Sequence, residues 1–431
     1  MKKQLSILIV VMTICSFTFG QKFESEGFYY NVISATTPYQ VAVTSQHISY
    51  PYNDDYIYAD NVTIPASVTY EGNTYSVTTI KEYAFGYCSN LTSVVIPNSV
   101  MIIEDNAFYH CSGLMQFDVS TENLIFSSDA GVLFNKGQET LIKYPIAKLG
   151  TSYVIPNTVA IIGSAAFHNC NSLVNVTIPN SVITIESAAF YSCTNLASMA
   201  IPSSVTTIAI HAFAECWSLT HFEVEEENSS FSTVEGVLFN KNQDVLITYP
   251  MSKGGVSYSY VIPNSTTTIG PAAFFHCAGL TSVTIPNSVT TLEEQAFYYC
   301  NGLTEIRVEA ITPPAFGASS VFASVPRTIP VYVPCESLAT YQSAEGWKEF
   351  TNIQCETGIA EVTTYPYEVF TRNSTLIIKQ AEGQSITIFD MMGRTVFQTT
   401  ATEETNCTLP TAGVYVVRVG VEGFVRKVVV N

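Results

Sequence analysis

The sequence predicts a mainly β protein: a solenoid of short stacked turns, then a small β-sandwich. Three observations predict it. An Ala-Phe pair recurs with its Phe at 85, 108, 167, 190, 213, 274 and 297, giving spacings of 23, 59, 23, 23, 61 and 23 residues. Within a unit, stretches such as LTSVTIP (280–286) alternate at period 2 and are rich in β-branched residues. From about residue 358 the repeat is gone, and a different series of alternating segments begins.

In chain order, residues 1–20 come first. Met1-Lys2-Lys3 is a short basic start, and 5–19 is an apolar run ending at Gly20-Gln21. That is the pattern of a secretory signal peptide, too short to span a bilayer. Cys15 does not suggest a lipid anchor, because Met12-Thr13-Ile14 lacks the small residues such a cleavage site needs. Residues 21–63 carry strand-like runs without the period and are expected to form an N-terminal β cap.

The solenoid is expected over 64–326. Its unit reads L-x-x-V-x-I-P-x-S-V-x-x-I-x-x-x-A-F-x-x-C. Pro286 has no N–H to give a ladder, so it ends the strand, and SVTTL (288–292) is a second short extended piece. The AFxxC segment makes a compact 3₁₀-like turn, since too few residues remain for an average helix of about 11. One turn cannot bury its own apolar face, so stacking at about 4.8 Å supplies the core. The two long gaps hold one repeat plus 36 or 38 further residues. GVLFNKGQETLIKYP (131–145) returns as GVLFNKNQDVLITYP (236–250), so a larger unit of 105 residues has been duplicated. Both insertions, 118–153 and 223–260, are expected to be β-hairpins.

This pattern resembles the BspA-type branch of leucine-rich repeat surface proteins, with its IPxSVxxIxxxAFxxC signature. The resemblance implies an α/β-type leucine-rich repeat solenoid with β-rich repeats and short 3₁₀ or helical turns. Residues 327–357 are similar to the C-terminal cap of that family, a final strand followed by a short helix from 337 to 350. Segments SITIFDMMGRTVFQ (385–398), LPTAGVYVVRV (409–419) and RKVVV (426–430) argue a β-sandwich over 358–431. They resemble the type-A sorting domain read by the type IX secretion (Por) system of certain Gram-negative bacteria. That implies contact with the secretion machinery, passage across the outer membrane and often removal of the tail.

Composition limits the partners. Charged residues make up 13% of the chain, against roughly 25% in ordinary domains. The formal charge is −18, and loss of Lys2 and Lys3 leaves about −20. No basic stripe offsets it, so nucleic acid is not an expected partner. Beyond the first twenty residues no run is long and apolar enough for a membrane span.

A histidine beside a cysteine in AFYHC (107–111) and AFFHC (273–277) suggests a nucleophile or a zinc site. The register argues otherwise. Cys88, Cys111, Cys170, Cys193, Cys216, Cys277 and Cys300 each fall three residues after Phe85, Phe108, Phe167, Phe190, Phe213, Phe274 and Phe297. Seven copies at one position make a core column, and a free thiol is small and apolar enough for that. His110 and His276 stand where other units have Tyr, Asn, Ser or Glu, so the position reads as an exposed turn site. Cys335 and Cys355 flank the cap helix and are the candidate disulfide in an oxidising compartment. No catalytic, cofactor or metal residues are nominated, and no cofactor is expected.

What remains is surface. Two rows on the strands are expected to face the concave side. One is Ser93, Gln116, Asn175, Ser198, His221, Ser282 and Glu305; the other includes Asp118, Thr177, Glu223, Thr284 and Arg307. A second candidate is the aromatic edge formed by Tyr87, Tyr109, Tyr191, Phe275, Tyr298 and Tyr299. Together these suggest a non-catalytic protein, secreted or held at the outer-membrane surface as an adhesin. Its ligand would be a macromolecule: a host or bacterial surface protein, or a glycan. The competing reading is a secreted glycan hydrolase using carboxylates of the insertions, Glu225, Glu226 and Glu227.

Overall fold

The computed structural model describes residues 20–45, 58, 60–255, 257–356, 368–372, 375–379, 383–390, 394–402, 404–409, 413–419 and 425–430. The expected signal peptide lies outside the described residues. The chain divides into two units, Met1–Cys355 and Glu356–Asn431.

Each repeat places its backbone in two parallel sheets. The longer strand pairs with its copy 23 residues on, as in Ser198↔His221 through Ile201↔Val224. The shorter one contributes only two residues, such as Thr184 and Ile185 facing Thr207 and Ile208. The apolar columns of Leu, Val, Ile, Phe and Cys fill the space between the sheets and are almost all fully buried. Rings of successive units lie flat on one another: Phe167–Phe190 and Phe274–Phe297 are both 4.8 Å apart, with interplanar angles of 7° and 8°. Offset stacking of this kind adds to area burial. The column runs further than the Ala-Phe register, to Phe322 at one end and Tyr58 at the other.

The turn after the short strand is not a 3₁₀ helix. Residues two before and two after each repeat Phe have left-handed backbones, with φ between 51° and 62°. Left-handed φ is costly for residues other than glycine. It turns alternate N–H groups along the stack, where they find partners. Phe167, Asn169 and Ala165 donate to the carbonyls of Ala189, Tyr191 and Ser187 in the next rung. The residues between them close i→i−3 bonds within their own rung, as Ala166 N–H does to Gly163 O.

The insertions are more than hairpins. Phe126–Asp129, Val132–Asn135 and Thr140–Lys143 form an antiparallel meander, and the third strand re-enters the parallel sheet beside Ile161–Ile162. Tyr144 then takes the place of the repeat Phe, stacked on Phe167 at 5.3 Å, and Ser152–Val154 joins the other parallel sheet. The second insertion does the same with Phe231–Val234, Val237–Asn240, Val245–Thr248 and Tyr249. A degenerate rung is thus hidden in each. Both faces of the middle strand are buried. Leu133 belongs to the core before it and Val132 and Phe134 to the core after it, while Leu238 divides in the same way from Val237 and Phe239. Each strand is a wall between two neighbouring cores.

A fully buried asparagine fastens each insertion. The amide of Asn123 donates to the carbonyls of Pro97 and Val100 at 2.8 and 2.9 Å, and its oxygen accepts from Ile125 and Phe126 N–H. Asn228 repeats the arrangement with Pro202, Val205, Ser230 and Phe231.

Both ends of the stack are covered. Lys22–Ser25, Phe28–Ser34 and Gln40–Thr44 form a meander whose last strand runs parallel to Asn73–Ile80. At the other end the expected helix 337–350 is shorter. The α-helix is Leu338–Ser343, and Gly346, with φ of 78°, separates it from a 3₁₀ turn at Trp347–Glu349. A side chain at Gly346 would strike the ring of Phe316, so the break is tied to packing. Trp347 Nε1 donates to Pro314 O and Tyr341 Oη to Ala310 O, both across the last rungs. Cys335 and Cys355 are joined in a disulfide.

Among the described residues the second unit has two antiparallel sheets, of three and four strands, sharing a core that includes Leu376, Ile378, Ile386, Ile388, Cys407 and Val417. Among the described residues no helix is long and apolar enough to cross a membrane.

Replacing Asn228 with Ala strands two carbonyls and two N–H groups at the root of an insertion. Chemical unfolding should show a loss of at least about 2 kcal/mol, whereas Asn98→Ala, at an exposed position, should cost under about 0.5 kcal/mol.

Candidate binding surface

The register brings the two strand rows together, in blocks. Ser93 pairs with Gln116 and Val95 with Asp118; Ser198 pairs with His221 and Ala200 with Glu223. Asn175 and Thr177 continue from Ser152 and Val154. The broadest block has five strands and aligns Ser282 with Glu305 and Thr284 with Arg307. Gln116, Asp118, Asn175, Thr177 and Glu223 are exposed, and Ser198, His221, Ser282, Thr284, Glu305 and Arg307 are half-buried. Ser93 departs from the expectation: it is buried, with its hydroxyl donating to Asn61 at 2.6 Å. The first row is also interrupted. Gly131 and Gly236 sit in the insertion turns against Gln116 and His221, where an added Cβ would come within 2.8 and 2.7 Å of those side chains.

On the five-stranded block the polar groups are tied together. Ser282 Oγ donates to Glu305 Oε1 at 2.9 Å, Arg307 Nε reaches the same oxygen at 3.3 Å, and the guanidinium lies 4.6 Å from the centre of the Tyr332 ring. Such a preset cluster loses little side-chain freedom when something binds over it.

All seven repeat cysteines are buried and unpaired. Five of the thiols donate back to the preceding rung, among them Cys111 to Phe85 O, Cys193 to Phe167 O and Cys300 to Phe274 O at 2.9–3.0 Å. Burial pushes Cys88 up to about 11 and Cys170, Cys216 and Cys277 up to about 12. A thiolate is the reactive form, so this environment suppresses nucleophilic chemistry. The column favours cysteine because it is apolar yet carries one weak donor.

The histidines are less exposed than their sequence position suggests. His110 is half-buried between Tyr87, stacked at 5.2 Å, and Tyr109, and Asn169 contacts its ring nitrogen at 3.0 Å. His276 is half-buried near Glu215, at 3.4 Å. The left-handed turn folds both rings back against neighbouring rungs. His168 is buried, and that burial, with Lys143 and His110 nearby, pushes it down to about 3.

The aromatic edge is a connected ribbon. Tyr87 meets Tyr109, Tyr109 meets His168, His168 meets Tyr191, Tyr191 meets Phe275, and Phe275 stacks on Tyr298, which touches Tyr299. Of the six expected residues Tyr299 is the most open, at 41% exposure, and the others are half-buried. Exposed Trp217 adds to the ribbon near His276. Of the insertion carboxylates, Glu225 accepts Ser203 N–H at 2.7 Å, and Glu225, Glu226 and Glu227 are all exposed.

The profile of the BspA type leucine rich repeat region matches residues 58–131, 148–252 and 256–377, in six copies. Residues 356–430 match a domain of unknown function, DUF6383. Among solved structures, the chain is similar to a leucine rich cell surface protein from Faecalibacterium prausnitzii, at 25% identity and a TM-score of 0.43 over 78% of this chain and 95% of that one. It is also similar to a leucine-rich repeat protein from Eubacterium ventriosum, at 27% identity and 0.43 over 62% and 64%. The pneumococcal vaccine antigen PcpA is similar at 20% identity and 0.41 over 78% and 99%. No curated protein matches the chain.

The thiol column is open to direct test. Cys111→Ala should lower stability by about 1 kcal/mol or more through lost buried contacts. His110→Asn keeps a residue that tolerates left-handed φ and should leave the melting curve nearly unchanged.

Proposed function

The chain belongs to the BspA-type leucine-rich repeat family, and from that premise we propose that it is an exported protein that binds a macromolecule without catalysing a reaction. The family is one of surface proteins whose repeats fit a binding or adhesion role. The observation that carries the reading is the five-stranded block, where Ser282, Thr284, Glu305 and Arg307 line up in register on a broad, shallow face. Extended faces of this kind are what solenoids use for recognition. The preset Glu305–Arg307–Tyr332 cluster favours a protein ligand, because Arg and Tyr dominate the energetics of protein contacts. A glycan is the second reading, favoured by Trp217 and Tyr299 standing exposed on the aromatic ribbon.

Export is supported by the basic-then-apolar start of the chain and by the Cys335–Cys355 disulfide, a bond that persists in oxidising compartments. We assign the tail the sorting role that its D-M-M-G-R and G-V-Y-V-V-R-V segments suggest. In the first of these, Asp390 accepts both the backbone N–H and the Nε–H of Arg394, at 3.0 and 2.7 Å.

Two measurements test these assignments. The full chain, screened on arrays of extracellular matrix proteins and glycans, should retain a protein ligand, and Thr284→Glu with Arg307→Glu should weaken that binding at least about tenfold, about 1.4 kcal/mol. Polysaccharide cleavage that disappears when Glu225, Glu226 and Glu227 become Gln would replace the binding reading with an enzymatic one. Mass spectrometry of the extracellular protein should find the tail removed; a mature chain still ending at Asn431 would contradict cleavage.

A further inference from the structure

The duplicated insertions leave two equivalent clefts that differ in content. In an ordinary rung, four residues separate the second-sheet Ile162 from Phe167, but the inserted rung has only two between Leu141 and Tyr144, although both ends pair in register. The shortened path opens a gap. The first cleft, of about 70 Å³, lies beside Asn106, Tyr109 and Lys143. The second, of about 210 Å³, lies beside their counterparts 105 residues on: His211, Ala214 and Thr248.

In the first cleft the chain supplies its own occupant. Lys143 Nζ donates to Ala165 O at 2.8 Å, and Tyr109 lines the same cleft. In the second, Thr248 has neither the alkyl stem nor the ammonium, and Ala214 lacks the ring. The acceptor is retained. Ala272, two before Phe274 as Ala165 is two before Phe167, has its carbonyl engaged by Phe275 N–H just as Ala165 O is by His168 N–H. His110 becomes Glu215, whose carboxylate stands outside the lining of the cleft, accepting Tyr191 Oη–H at 2.6 Å and Ser192 Oγ–H at 3.2 Å and lying 3.4 Å from His276. Relative to the first cleft, the second has lost Lys143 together with Glu104 and Asp105, whose counterparts are Ala209 and Ile210, and its wall is apolar apart from His211 and Thr248. Its walls include Phe275, Tyr249 and Met251, suited to an alkyl stem.

We propose that this second cleft binds a primary alkylammonium, namely a lysine side chain presented by a partner polypeptide, in the place that Lys143 fills in the first. A volume of about 210 Å³ suits one side chain and is below the roughly 300–1,000 Å³ of drug-sized pockets. The net charge of −18 favours the approach of such a group. The site stands on the comparison of the two clefts and is independent of the sheet-face reading.

The test uses the full chain, titrated with Nα-acetyl-lysine-N-methylamide and followed by NMR, with the norleucine and Nε-acetyl-lysine analogues as controls. Saturable binding is expected for the lysine probe only, with the controls at least about tenfold weaker. Thr248→Lys should abolish it by filling the cleft from within, while circular dichroism shows the β-rich fold intact. Glu215→Gln, outside the lining of the cleft, should leave it nearly unchanged. Norleucine binding as tightly as lysine, unchanged binding in Thr248→Lys, or no saturation by the lysine probe would each overturn the proposal. Loss of lysine binding in Thr248→Lys with capture on the protein array unchanged would separate this site from the sheet face.

Discussion

Hydrogen bonds that pass from each rung to the next organise this molecule. They run through the long strands and the two-residue strands, and they also run through the turns. There, the carbonyls of Ala189 and Tyr191 receive N–H groups from Phe167 and Asn169. Every rung therefore leaves donors and acceptors on both sides, and a buried backbone group without a partner is costly. A unit of very different length would break the pairing, so the spacing returns to 23 after each interruption, and the rung of 25 from Phe297 to Phe322 still makes the turn bonds from Phe297 and Tyr299 N–H to Val321 and Ala323 O. The same demand explains the caps. The meander at residues 22–44 and the Trp347 region cover rungs whose edges would otherwise offer templates for another chain.

The insertions obey that demand by a different route. Each leaves the stack through a meander and must come back in register with a rung that is already specified. Re-entry is through Thr140–Lys143 and Val245–Thr248, while the middle strands close one core and open the next. Because Leu133 points one way and Val132 and Phe134 the other, the strand has to be apolar on both sides, as VLF is in both copies. Asn123 and Asn228 hold the exit point, each satisfying four backbone groups that the departure from the stack leaves behind. A buried amide with all its bonds made is favourable, and one with half of them made is not.

Much of this was legible in the sequence, and the reasons for the rest are physical. The Phe and Cys columns showed themselves because core positions tolerate few residue types and repetition multiplies the signal. The left-handed positions did not, because Tyr83, Ala188, Glu215 and Gln295 have no preference for that conformation and are held there by bonds to the neighbouring rung. Asn228 was hidden at the end of an acidic run, where its side chain looked solvated; the matching Asn123, 105 residues earlier in a less charged setting, was the available signal. Tyr144 and Tyr249 were missed because they stand in Lys-Tyr-Pro and Thr-Tyr-Pro and carry no Ala-Phe pair, although Tyr144 lies 23 residues before Phe167. Among the surface residues, the row pairings followed from the period alone. Burial of Ser93 did not, since it depends on Asn61 in a rung that lacks the motif.

The two copies of the 105-residue unit also show how a scaffold separates stability from recognition. What supports the stack is identical or nearly so between them: the VLFN strand, the buried asparagine, the tyrosine in the Phe column. What differs is confined to positions the rung-to-rung bonds do not need. Lys143 against Thr248, Tyr109 against Ala214 and His110 against Glu215 all lie on the turn edge, where the backbone is already satisfied by its neighbours. Exchange there costs the fold little and changes local volume and charge greatly. Duplication followed by change at such positions turns a packing detail of one copy, a lysine seated on a carbonyl, into a larger cleft with the same carbonyl acceptor in the other.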